Sequence, residues 1–154
     1  MPVKKLQEFL DSNNVKYQTI AHSVAYTAQE IAAAAEVPGQ ELAKTIIVRI
    51  DGELAMAVLP ASYRVDTGLL AEAAGAEKVE IAEEKDFSDL FPGCELGAMP
   101  PFGNLYGMKV FVAEKLAADE EICFNAGTHH ELIRLKYADF KRLVQPVKAE
   151  FAVS

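Results

Sequence analysis

Two segments of the chain carry residue types that can do chemistry as well as build a scaffold. Lys44 begins the apolar run 44–50 (KTIIVRI), so we expect its amine at the rim of a sheet, where an ammonium can bind a phosphate or a ribose hydroxyl. The loop Gly97–Gly103 (GAMPPFG) combines two glycines with two prolines, a pattern that lets backbone amides approach a ligand and stabilise an oxyanion. Each segment has a structural alternative. Lys44 fits a solvated lysine at a strand end, and the loop fits a plain turn between strands.

A third segment, 125–130 (NAGTHH), places two histidines in a connection between predicted strands. Adjacent histidines in an extended segment point to opposite faces, so only one of His129 and His130 is expected to face a cleft. The sequence offers no third ligand cluster, so we expect no metal and no cofactor. The alternative is a surface histidine pair.

The two cysteines, Cys94 and Cys123, have neither zinc-ligand spacing nor a redox CxxC pattern. We interpret both as small apolar residues, although a nucleophilic Cys123 near His129 remains an alternative. Tyr26 and Met99 fit either a pocket wall or the core. Motifs of the GxSxG, Walker, GxGxxG and HExxH types are absent from the sequence.

Hydrophobic periodicity and turn signals predict the elements that position these residues. Predicted helices cover 3–12, 27–36, 66–74 and 139–143, with a helical turn at 87–91; predicted strands cover 15–20, 44–50, 54–59, 79–81, 109–113, 122–125 and 132–135; 145–154 is interpreted as a tail. Asp51-Gly52 is a strong hairpin signal. The order favours an α+β fold with a mixed, largely antiparallel, curved and barrel-like sheet surrounded by helices, in one domain spanning 1–154.

Composition limits the classes of partner. The formal net charge is −8, which disfavours broad binding to nucleic acid phosphates and argues against DNA as a partner. No apolar run approaches the roughly 20 residues of a membrane span, and the N-terminus lacks a signal-peptide core. We therefore expect a cytoplasmic monomer without a membrane partner.

The order of the segments KTIIV, GAMPPFG and NAGTH, together with AHSVAYTAQEIA upstream, resembles the YbaK/EbsC family of freestanding aminoacyl-tRNA deacylases. It is similar also to the editing insertion domain of prolyl-tRNA synthetases. The resemblance covers about Leu6 to Leu143 and implies the YbaK/prolyl-tRNA-synthetase-associated fold. The implied activity is hydrolysis of the ester on mischarged tRNA, with tRNA(Pro) carrying alanine or cysteine as the expected substrate. Implied partners are the tRNA 3′-terminal adenosine and a prolyl-tRNA synthetase or other translation factor that delivers the tRNA.

The resemblance also implies roles for individual residues. The residues expected to act in catalysis are Lys44, Gly97, Pro101, Gly103, Gly127 and His129. The residues expected to contact substrate are Tyr26, Thr45, Met99, Phe102 and Thr128. Two other functions remain open at this point, a catalytically silent module that binds tRNA or a synthetase, and a hydrolase of small esters or amides unrelated to tRNA.

Overall fold

The computed structural model describes residues 4–21, 42–95, 98–129 and 131–153. The helices in these ranges are α1 (Lys4–Ser12), α2 (Thr67–Ala74), α3 (Glu84–Phe87), α4 (Glu114–Ala117) and α5 (Tyr137–Val144), with a 3₁₀ turn at Gly103–Leu105. The strands are β1 (Tyr17–Ala21), β2 (Leu42–Ile50), β3 (Glu53–Pro60), β4 (Arg64–Val65), β5 (Val79–Ile81), β6 (Lys109–Ala113), β7 (Glu121–Asn125), β8 (Glu131–Lys136), β9 (Val147–Ala149) and β10 (Ala152–Val153). The predicted helix at 27–36 lies outside the described residues.

Seven strands form a continuous path in the order β1-β8-β7-β2-β3-β6-β9, and β5 pairs with β2 beside that path. The pairs β2–β7, β3–β6 and β6–β9 are parallel, and the other pairs of the sheet are antiparallel. A separate two-stranded sheet joins β4 to β10. The mixed, largely antiparallel α+β architecture is confirmed, while its barrel-like curvature stays a prediction.

The β2–β3 hairpin is the centre of the sheet. Asp51 has a φ of 48° and Gly52 a φ of 88°, the positive values that a tight two-residue turn between twisted strands requires. The turn fixes an antiparallel register that runs from Ile50 opposite Glu53 to Ala43 opposite Pro60. Lys44 is thereby placed opposite Leu59, near the end of the hairpin remote from the turn.

The sheet carries a hydrophobic core on each side, because side chains alternate between the two faces of a strand. One face, here called the Phe102 face, packs Ile47, Met56 and Phe124 around Phe102, with α1 and α5 covering it through Leu6 and Phe140, among other residues. The other face, the Lys44 face, carries Val48, Leu59 and Phe111 under α2 and its Leu70. By strand alternation the side chain of Lys44 leaves β2 on the same face as Ile46 and Val48.

Two local predictions about helices had different outcomes. The helix predicted from Asp66 to Ala74 is confirmed, because the Asp66 carboxylate accepts the Leu69 N–H at 2.9 Å and Gly75 ends the helix with a φ of 65°. The turn predicted at 87–91 begins earlier, as α3, and Leu90 is exposed rather than packed. Helices in the described part of the chain all fall short of what a membrane span requires.

The interpretation of 145–154 as a tail was wrong. Residues 147–149 extend the main sheet by pairing in parallel with β6, and 152–153 pair with β4. Between them Phe151 is fully buried, and its carbonyl accepts the Asp66 N–H at 2.7 Å. The signal was present in the sequence as Val147, Ala149, Phe151 and Val153, an alternation typical of a strand.

Candidate active site

Along the side of β2 away from β3, the described residues leave a gap between two partner strands. Within the ranges that the structure describes, β7 pairs on this side only with Leu42 and Ala43, and β5 only with residues 48–50. The Ala82 N–H donates to the Ile47 carbonyl at 2.9 Å, which shows that the backbone groups of odd-numbered residues point toward this edge. The N–H and C=O of Thr45 therefore face the gap.

Lys44 lies at the start of this gap, on the Lys44 face of the sheet. Its side chain is half-buried, and burial lowers the pKa of its ammonium below the usual value of 10.5. No hydrogen bond or ion pair joins the ammonium to another residue in the described ranges. A half-buried cation without a described carboxylate neighbour is suited to binding an anionic ligand.

Asn125 continues the ladder that places Lys44. The parallel pairing of β2 with β7 ends at Ala43 beside Phe124, so the next residues on the two strands are Lys44 and Asn125, on the same face. The Asn125 Oδ1 and the Thr128 Oγ1 are both buried, and neither has a hydrogen-bond partner among the described residues. Buried oxygens of this kind are normally satisfied, so they are candidates for binding a donor of the substrate or a water.

The structure brings the glycine-proline loop and the Gly-Thr-His segment into direct contact. The Glu95 N–H donates to the Gly127 carbonyl at 2.7 Å, and the Gly127 N–H donates to the Ala98 carbonyl at 3.0 Å. The His129 N–H donates to the Glu95 carboxylate at 2.9 Å. Gly127 has a φ of 102°, a conformation that favours glycine, and this explains the residue type in the motif.

The expected oxyanion donors are limited in this loop. Pro100 and Pro101 carry no N–H, and the Ala98 N–H already donates to the Glu95 carbonyl at 3.1 Å. These three residues therefore cannot supply a free amide to a developing oxyanion. Gly97, which belongs to the loop whose amides were expected to act, lies outside the described residues.

Thr45 and Met99, both expected to contact substrate, line one small cavity of about 150 Å³ beside the gap. The other lining residues are Ile46, Ile47, Ile81, Ala82, Glu84 and Phe87. Most of these walls are apolar, with the Thr45 hydroxyl and the Glu84 carboxylate as polar groups. A cavity of this size and character suits a small side chain.

Phe102 and Gly103 have structural roles that the sequence pattern did not reveal. Phe102 is fully buried, and its ring lies 5.4 Å from that of Phe124 and 5.7 Å from that of Phe140. A Cβ on Gly103 would come within 2.7 Å of the Met108 carbonyl oxygen, so the close approach of the 3₁₀ turn to β6 requires glycine. We therefore leave both out of the proposed substrate contacts.

The other expected site residues are placed as follows. Pro101 is buried within the loop, and His129 is buried beside Glu95, with 8% of its surface exposed. Tyr26 and His130 lie outside the described residues. Sequence reasoning assigned no role to Asn125, although it begins the segment 125–130, and it missed Glu95 altogether. For Asn125 a signal existed, because this polar residue ends an apolar strand two positions before Gly127.

In the part of the chain that the structure describes, no group of three or more histidine, cysteine, aspartate or glutamate side chains is arranged to hold a metal ion. The polar groups at the gap are instead the Lys44 ammonium, the Asn125 amide and the backbone groups of Thr45, and the buried Thr128 hydroxyl lies three residues beyond Asn125 in the chain. This set can bind an anion and orient a polar substrate or a water.

Comparison with known proteins relates the chain to a family. The model of the aminoacyl-tRNA editing domain matches residues 22–143. The chain is 28% identical over 157 residues to the multifunctional Ser/Thr-tRNA deacylase ProXp-y of Escherichia coli (strain K12), covering 96% of this chain and 91% of that protein. It is 29% identical over 105 residues to a proline–tRNA ligase of Leuconostoc citreum (strain KM20), covering 68% of this chain and 18% of that longer protein.

A solved structure supports the same fold. A protein described provisionally as a trans-editing enzyme for prolyl-tRNA synthetase matches with a TM-score of 0.82 and 19% identity, over 99% of this chain and 97% of that one. The match of the family model over most of the chain confirms the resemblance drawn from the sequence. The chain therefore belongs to the aminoacyl-tRNA editing domain family and is a hydrolase of the aminoacyl-tRNA deacylase class.

Proposed function

We propose that the chain removes small noncognate amino acids from tRNA(Pro) at the gap in β2. The observation that carries this proposal is the half-buried Lys44 ammonium beside Asn125. Two residues after Asn125, the backbone of Gly127 is hydrogen-bonded to Glu95 and to Ala98 of the glycine-proline loop. The Lys44 ammonium, a buried acceptor oxygen and a small cavity all lie along this edge of β2, the first two on the Lys44 face and the cavity beside Thr45, Ile47 and Met99. An ester already activated by its ribose needs positioning more than a strong nucleophile.

The proposed roles follow from charge and hydrogen-bonding capacity. Lys44 binds the negative charge or ribose hydroxyl of the terminal adenosine, since a compact ammonium suits either ligand. The Asn125 Oδ1 and the Thr128 Oγ1 accept hydrogen bonds from the substrate α-ammonium or from the attacking water. His129 helps to hold that water or the amino group. These positions convert the reaction into attack by an oriented water on a fixed carbonyl.

Two sets of amino acids compete as substrates. The resemblance to editing domains of prolyl-tRNA synthetases favours alanine and cysteine, while the name of the Escherichia coli relative specifies serine and threonine. All four side chains are small enough for the cavity of about 150 Å³ beside Thr45 and Met99. The similarity to a proline–tRNA ligase supports tRNA(Pro) as the carrier, delivered by a synthetase because the net charge is −8.

A panel of aminoacyl-tRNAs tests this proposal. We expect the purified chain to hydrolyse at least one of Ala-, Cys-, Ser- and Thr-tRNA(Pro) well above the spontaneous rate, and Pro-tRNA(Pro) at least about 10-fold more slowly. Release of labelled amino acid measures both rates. Hydrolysis of Pro-tRNA(Pro) as fast as that of the four noncognate substrates would contradict an editing role, and no turnover of any aminoacyl-tRNA would favour the silent module instead.

The lowered pKa of Lys44 predicts an alkaline limit to activity. If the ammonium binds the substrate, kcat/KM should fall as pH rises through the lowered pKa, below the ordinary value of 10.5. The measurement is kcat/KM between pH 6 and pH 10 after subtraction of spontaneous ester hydrolysis. Lys44→Arg is the matched control. Its guanidinium remains charged over this pH range, so the alkaline fall in kcat/KM should disappear. Identical alkaline limbs in the two proteins would contradict the assignment.

A further inference from the structure

We propose that the pocket beside Tyr63 and Lys115 binds a nucleotide that precedes the terminal adenosine in the single-stranded 3′ end of the tRNA. The proposal rests on the proposed function and deepens it by adding a second contact for the RNA. It concerns residues that neither the sequence motifs nor the site at the β2 gap includes.

The pocket has the composition of a nucleotide-binding surface. It encloses about 300 Å³ and is lined by Pro60, Tyr63, Lys115, Ala118 and Asp119. The Lys115 Nζ lies 4.3 Å from the centroid of the Tyr63 ring, in a cation–π contact. The ring is partly buried against the core of the Lys44 face, whereas Lys115 is exposed. A partly buried aromatic ring beside an exposed cation suits a base and its phosphate.

The pocket lies close to Lys44 along the β2–β3 hairpin. Its lining residue Pro60 follows Leu59, the residue opposite Lys44, and the Ala61 N–H donates to the Leu42 carbonyl at 2.8 Å. Leu42 and Lys44 are two residues apart on an extended strand, about 7 Å along its axis. An RNA whose last nucleotide contacts Lys44 can therefore reach the pocket with the nucleotide that precedes it.

Each group in the pocket has a defined partner in a ribonucleotide. The base stacks on Tyr63 in the place now taken by the Lys115 ammonium, which is released to meet the neighbouring phosphate. The Asp119 carboxylate lines the same pocket and suits a ribose hydroxyl, which can donate to it. Because the chain carries a net charge of −8, binding of RNA depends on such local contacts.

The test compares a mischarged tRNA with a 3′-aminoacyl-adenosine that has no preceding nucleotides. We expect Tyr63→Ala and Lys115→Ala to raise KM for the tRNA about 10-fold, with activity on the short substrate unchanged. Tyr63→Phe keeps the ring and should behave like the wild type. Lys141→Ala is the matched control for charge, since this exposed lysine lies on α5, which covers the Phe102 face. Lys115→Ala should also reduce the slope of log K for tRNA binding against log salt concentration by about 1, the value for one lost phosphate contact.

Two results would overturn the proposal. One is that both alanine variants keep the wild-type KM for the tRNA. The other is that they lose kcat/KM equally on the tRNA and on the short substrate, which would mean that they act through the catalytic site or the fold. Fluorescence anisotropy with an unacylated oligonucleotide ending in the tRNA 3′ sequence measures binding without hydrolysis. It therefore tests the pocket even where the proposed deacylase function fails. If the wild type hydrolyses neither substrate, weaker oligonucleotide binding by Tyr63→Ala and Lys115→Ala still supports the pocket, and unchanged binding overturns it.

Discussion

Replacing Lys44 with alanine is expected to lower kcat/KM for deacylation by about 10²–10³-fold, the range found when a preorganised charge contact is removed from an active site. The effect is large because the ammonium is half-buried, where a charge interacts with a ligand more strongly than it does in water. Single-turnover deacylation of the best substrate in the panel measures the loss. A variant that keeps more than about half of the wild-type kcat/KM would exclude a catalytic or binding role.

A matched variant separates loss of activity from loss of folding. Burial lowers the pKa of Lys44, so the folded state disfavours its charged form. Between the lowered pKa and 10.5 the unfolded chain binds more protons than the folded one, and the free energy of unfolding should therefore rise with pH in that window. At neutral pH Lys44→Met removes this penalty, so its Tm should equal or exceed that of the wild type by up to a few degrees while activity is lost. A lower Tm in Lys44→Met would show that the lysine supports the fold.

The parts of the fold that were predicted correctly are those fixed by local chemistry. The Asp51-Gly52 turn, the Asp66 cap and Gly75 at the end of α2 each depend on residues within one or two turns of the chain. The main strands followed from runs of β-branched and apolar residues. These signals need no knowledge of what packs against them.

The parts that were missed depend on contacts between distant segments. Residues 147–153 alternate as in a strand, but the two strands they form are short, and their place in the fold depends on pairing with β6 and β4. The helical turn predicted at 87–91 begins earlier, at Glu84, and Leu90 lies at the surface between the buried Phe87 and Phe91. Tertiary packing decided each of these outcomes.

The candidate site divides in the same way. Lys44, Gly127 and His129 were found from residue type and order, because their segments are short and their composition is unusual. The proximity of Asn125 to Lys44 was not predictable, since it results from the parallel register of β2 with β7. Phe102 was expected to contact substrate on the basis of the family resemblance. Three other rings surround its fully buried side chain in the core, an arrangement that its position in the loop does not reveal.

Phe102→Ala is therefore expected to destabilise the protein by about 3–5 kcal/mol, the range for removing a fully buried phenylalanine from a core. The ring contacts Phe124 and Phe140 on the sheet and α5, and it lies 6.1 Å from Phe9 of α1, so alanine leaves a cavity where three elements meet. Urea unfolding followed by circular dichroism measures the change. Phe102→Leu retains most of the volume and should lose much less stability. If alanine instead left the free energy of unfolding unchanged and raised KM for the substrate, the ring would act in binding, and the division of the molecule into a Phe102 core and a Lys44 site would be wrong.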